Sequence, residues 1–189
     1  MRTSGHHVGI IHPKLRAAFL AALLAAALGS RLAAQQPGNS ADAQRQAMRK
    51  LSFLVGHWSG PATISRGPGE PLHLTQTEDV QYKLDGLVLL IEGKSASADG
   101  KVLFSALATI AYDDASGAYR FRAYNDGRYL DTELSVPDSG FSWAFTAGPA
   151  HIVNTMHLTD KGQWAETTET TVGDHPPMRS VDMLLQREQ

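Results

Sequence analysis

The sequence predicts an all-β protein: about ten antiparallel strands running up and down and closing into a barrel, entered by one short helix. Two observations predict the strands. Short stretches of β-branched, aromatic and alternating residues follow Gly56, and glycine-containing turn dipeptides separate them about every 10–15 residues. A third predicts the helix. Ala47, Leu51 and Leu54 fall at i, i+4 and i+7, one apolar stripe that ends at Gly56.

The chain begins with a segment of a different kind. Lys14 and Arg16 precede an uncharged Ala/Leu run from Ala17 to Leu28, which Gly29 and Ser30 break. That run has 12 residues, whereas a helix that crosses a bilayer needs about 20. The pattern reads as a signal peptide, residues 1–34, with cleavage after Ala34 and Leu32 at the third position back. An uncleaved anchor helix is the alternative. The expected organisation is therefore signal peptide 1–34, a polar leader 35–40, and a barrel domain 41–189 in an exported protein, periplasmic or extracellular.

Composition excludes several classes of chemistry. The chain has no cysteine, so disulfides, thiolate metal sites, thiol nucleophiles and lipid attachment to cysteine are ruled out. All 19 acidic residues lie beyond Ala34, and with 13 basic residues there the mature part carries a net −6. That balance offers no footprint for nucleic acid or an anionic membrane surface.

The elements follow in order. Ser40 reads as a helix N-cap with Asp42 in the first turn. The expected strands are 57–64, 72–83, 87–95, 101–112, 118–125, 128–136, 140–147, 150–159, 163–172 and 178–187. Asp85-Gly86, Asp99-Gly100, Ser116-Gly117, Asp126-Gly127, Ser139-Gly140, Lys161-Gly162 and Gly173-Asp174 stand between strands. A two-residue turn at Asp126-Gly127 pairs Tyr124 with Tyr129, Arg122 with Asp131, and Arg120 with Glu133 on one face. The opposite face then holds Ala123, Leu130, Phe121, Thr132, Tyr119 and Leu134. The charged face is either a solvated outer wall or a polar interior, and the Phe121–Tyr119 face is the expected cavity lining.

A three-residue loop at Asp160-Lys161-Gly162 pairs Met156 with Glu166 and Leu158 with Trp164. A two-residue turn would instead set His157 against Glu166 as an acid–base couple. The segment from Trp164 to Thr171 is polar on both faces, which fits an exposed edge or a wet cavity.

The segment Leu51-Ser52-Phe53-Leu54-Val55-Gly56-His57-Trp58 carries the strongest local signal. Gly56 permits a sharp entry into the first strand, and Trp58 supplies a large apolar plug with one N–H to satisfy. This Gly-x-Trp entry, with the strand around Ile110-Ala111-Tyr112-Asp113 and the closing strand Val181 to Arg187, resembles the calycins: lipocalins, fatty-acid-binding proteins and relatives. It looks most like a bacterial group of exported lipocalin-like domains of unknown function, with nitrobindin-type haem barrels as more distant kin. The resemblance covers about residues 45–187. It implies an internal cavity and a basic residue, here Arg187, packed across the entry tryptophan.

Catalytic and metal signatures are absent. There is no Gly-x-Ser-x-Gly, no phosphate loop, no His-x-His and no His-Glu-x-x-His. His151 and His157 share a strand face but stand roughly 20 Å apart, so one metal cannot take both. No cofactor is called for. Haem is the one the resemblance raises, with His157 or His151 as its conceivable ligand. The expectation is a non-catalytic barrel holding a small apolar or amphipathic ligand, with Tyr119, Phe121, Tyr112, Met156, Trp164 and Glu166 as candidate ligand contacts. An enzyme of the same fold using cavity acid–base groups, and a fully packed structural or partner-binding module, are the rivals. The sequence does not specify the ligand or the oligomeric state.

Overall fold

Period-two alternation and turn glycines produce the architecture expected of them. The computed structural model describes residues 37–188 apart from 66 and 68; the expected signal peptide lies outside the described residues. An α-helix, α1 (Pro37–Met48), continues into a 3-10 helix, Arg49–Leu54. Ten strands follow: β1 (Gly56–Ile64), β2 (Leu72–Lys83), β3 (Val88–Ala96), β4 (Val102–Asp113), β5 (Ala118–Asn125), β6 (Arg128–Leu134), β7 (Gly140–Ala147), β8 (Ala150–Leu158), β9 (Trp164–Val172) and β10 (Met178–Arg187). The sequence-predicted strands match these within two residues at every end.

The helix departs from its prediction. It already includes Pro37, so the leader is shorter than expected and Ser40 is not its cap. Ser40 Oγ donates instead to the Asp114 carboxylate, and Asp42 lies beyond the first turn, paired with Arg45 at 3.0 Å. The regular α-helix stops at Met48. Met48, Leu51 and Leu54 are the buried residues, a spacing of three that suits a 3-10 helix, whose side chains repeat every third residue.

All ladders are antiparallel, in the order β6-β5-β4-β3-β2-β1-β10-β9-β8-β7. β1 pairs with β10, which wraps the sheet round on itself. Among the described residues, hydrogen bonding between β6 and β7 is reduced to the Ser135–Ser142 bridge and a 2.9 Å bond from Thr132 Oγ1 to the Ala144 carbonyl. The barrel is therefore nearly closed, with one thin seam. Asp126 and Gly127 both have positive φ (48° and 71°), the conformation a two-residue hairpin turn needs. The expected pairs Arg122–Asp131 and Arg120–Glu133 follow.

The floor is the part where helix meets barrel. Trp58 is fully buried, and its Nε1 donates to the Leu54 carbonyl at 2.7 Å. The Arg187 guanidinium lies 4.2 Å from the Trp58 ring and donates to the Val55 and Phe53 carbonyls. Tyr82 and Tyr119 hydroxyls donate to the Met48 and Ala47 carbonyls at 2.6 and 2.8 Å. Helix ends carry unpaired carbonyls; two tyrosines, a tryptophan and an arginine occupy these.

Candidate functional site

Above the floor, the inward-facing positions of β2 read Leu74, Gln76, Glu78, Val80, Tyr82, an apolar row interrupted by two polar residues. On β3 they read Leu89, Ile91, Gly93, Ser95. On β8 and β9 they include Asn154 and Met156, then Trp164, Glu166 and Thr168. These interruptions meet in the middle of the barrel as a polar centre inside an apolar wall.

The centre has two halves. Glu78 pairs across the ladder with Gly93, and a Cβ on Gly93 would sit 2.8 Å from both Glu78 carboxyl oxygens. Glycine leaves the space that the carboxyl fills. Gln76 Nε2 donates to Glu78 Oε1 at 2.6 Å, and Ser95 Oγ donates to Gln76 Oε1. In the other half, Glu166 accepts from Trp164 Nε1 at 2.7 Å and from Asn154 Nδ2 at 2.8 Å. Asn154 Nδ2 also donates to Thr168 Oγ1 at 3.0 Å. Asn154 is 97% buried (3% exposed), yet its Oδ1 has no hydrogen-bond partner. Buried polar atoms are rarely left so, because the lost hydration is not replaced.

Both carboxyls hold their protons more tightly than usual. Burial pushes Glu78 up to about 8; the Glu166 charge adds to the rise, and the Gln76 bond opposes it. Burial likewise raises Glu166, against the bonds from Asn154 and Trp164. Glu166 keeps some accessible area although protein surrounds its carboxyl. Area opening on a confined lumen gives poorer solvation than bulk water, so burial governs its proton. Any charge on Glu166 holds the proton on Glu78 more tightly.

Aromatic rings form the facing wall. Phe121 stacks on Trp143 with centroids 5.2 Å apart, and Trp143 on Phe145 at 5.8 Å. Trp164 meets Trp58 and Phe141 edge-on at 5.6 and 5.9 Å. Inward side chains away from the floor, among them Trp143, Phe145, Ile152 and Thr170, are only half-buried. The end of the barrel opposite the helix is thus the more open one. Two surface depressions lie elsewhere, around β1, β10 and the β8–β9 turn.

The sequence-predicted contacts divide by position. Met156, Trp164 and Glu166 come together in the centre, and Phe121 faces them from the aromatic wall. Tyr112 and Tyr119 pack edge-on at 5.0 Å beside the floor, where Tyr119 is already bonded to the helix. Gly56, with φ 136°, lies against Arg187 as the entry requires.

The pairing of Met156 with Glu166 and of Leu158 with Trp164 sets His157 against Ala165, facing outward. The His157–Glu166 couple is therefore absent. β9 lies between β8 and β10, so its two-sided polarity does not mark a sheet edge. His57, His73, His151, His157 and His175 all sit on the outer face or in turns. A haem in the lumen would find no inward histidine among the described residues. No group of three metal-ligating side chains occurs among them either.

Sequence reading missed Gln76, Glu78, Ser95 and Asn154. The signal was present: in a strand whose alternate residues are Leu, Gln, Glu, Val and Tyr, the buried face can be identified only if the polar pair is allowed to be interior.

No protein-family model matches the chain, and no curated protein matches it significantly. Among solved structures it is similar to Rv2717c from M. tuberculosis, with a TM-score of 0.58 and 14% identity, over 76% of this chain and 98% of that one. At that identity the likeness concerns the fold.

Proposed function

We propose that this protein is an exported, calycin-like barrel that binds a small amphipathic molecule in its lumen. The observation that carries the reading is the unpartnered Oδ1 of Asn154, deep in a polar centre that faces an aromatic wall. A purely structural interior would gain stability from an apolar residue there. A ligand that donates a hydrogen bond gives that oxygen its partner. The half-buried rings toward the open end offer the apolar part of such a ligand its surface. Export rests on the Lys14–Ala34 pattern in the sequence.

Native mass spectrometry of the protein purified from its own host tests both parts. The expected spectrum has a chain shortened by the first 34 residues or close to it, carrying a bound small molecule. A bare chain from every fraction would count against the ligand. A full-length chain in the membrane fraction would count against cleavage.

A further inference from the structure

The charge distribution of the lumen selects among ligand classes. Among the described strands, the inward positions between the floor and the rim hold two carboxyls and no lysine or histidine, and the one arginine on that face, Arg128, is exposed at the rim where β6 begins. Arg120 and Arg122 point outward, half-exposed, to Glu133 and Asp131. Arg187 is committed below Trp58. An anionic head group entering this lumen would meet Glu78, Glu166 and the Asn154 carbonyl oxygen with no counter-charge, at a high desolvation cost. A cationic head meets the reverse. It can donate to the free Oδ1 of Asn154 and pair with a carboxyl that gives up its proton as the cation enters. The π faces of Phe121, Trp143 and Phe145 also attract cations.

We propose that the lumen binds a hydrophobic organic monocation, its ammonium head between Glu78, Glu166 and Asn154 Oδ1 and its apolar part along the Phe121–Trp143–Phe145 stack. This deepens the ligand-binding reading and rests on it. A metal ion fits less well, since two carboxyls and one amide oxygen fall short of a hard-cation shell of six or so oxygens. Because burial and mutual repulsion hold a proton on Glu78 at neutral pH, an incoming cation favours its ionised form and expels that proton.

The test compares three probes that share a phenylethyl group: 2-phenylethylammonium, 2-phenylethanol and 3-phenylpropionate. Each is titrated calorimetrically into the purified protein at pH 7, in phosphate and in Tris. The ammonium is expected to bind about tenfold or more tightly than the alcohol, as hydrogen bonds to charged groups do. Its binding heat should differ between the buffers by the amount that proton release requires. Glu78→Gln should weaken ammonium binding about tenfold and abolish the buffer dependence. If that variant does not fold, the wild-type ranking still decides. Tighter binding of the alcohol or the carboxylate overturns the cation proposal and leaves the ligand-binding barrel standing. Failure of all three to bind overturns it too, and the host-purified mass spectrum then judges the wider reading separately.

Discussion

Glu78 should make this protein less stable as pH rises from acid to mildly alkaline. In the unfolded chain its carboxyl titrates near 4.5; in the barrel it is pushed up to about 8. Below about 4.5 both states are protonated and the group contributes no pH dependence. Between the two values the unfolded state loses its proton while the folded state keeps it. The folded state then binds more protons, so stability falls as pH rises, and the loss is complete above about 8. At about 1.4 kcal/mol per pH unit of displacement, the full difference is roughly 3–5 kcal/mol. Glu166, also raised, adds to the fall in the same direction. The assay is urea denaturation at pH 5, 6.5, 8 and 9 on wild type and Glu78→Gln. Wild type should lose several kcal/mol across that range. Glu78→Gln should lose much less and be the more stable protein at pH 9. Flat or rising stability of the wild type with pH would refute the argument, since it would mean that Glu78 is solvated as if exposed.

Three further outcomes follow from packing. Trp58→Ala should cost about 3–5 kcal/mol in chemical denaturation, because the ring is fully buried between the helix and the floor; a loss under about 1 kcal/mol would place it outside the core. Arg122→Met should leave the denaturation midpoint close to that of wild type, because the Arg122–Asp131 pair is half-exposed on the outer wall; a large drop would put that pair in the lumen. Gly93→Ala should destabilise by about 1–3 kcal/mol, because its Cβ would press on the Glu78 carboxyl. Gly93→Ala combined with Glu78→Ala should recover most of that loss, and failure to recover would locate the strain elsewhere.

The strands, their register at Asp126-Gly127 and at Lys161-Gly162, and the Gly56–Trp58–Arg187 entry were legible in the sequence. The strands, registers and Gly56 entry rest on local rules, a short hairpin loop, alternation along a strand, or a glycine where the backbone takes a positive φ, whereas Arg187 across Trp58 was implied by the resemblance to calycins. The 3-10 continuation past Met48 was not legible, because Met48, Leu51 and Leu54 bury at a spacing set by the floor beneath them rather than by helix propensity. The polar centre was also hidden. Glu166 stood out because its strand is polar on both faces, but Glu78 and Asn154 sit in otherwise ordinary amphipathic strands. Local alternation reveals that a residue shares a face with its second neighbours. It does not reveal which polar residues from strands as far apart as β2 and β9 converge on one point. That convergence depends on how the sheet curls and where it closes, and the pairing of β1 with β10 decides it. The sequence alone determined the elements and their hairpin registers, because those are set by neighbours along the chain. Only the tertiary structure decided that two carboxyls share one poorly hydrated lumen, because desolvation and charge repulsion act through space.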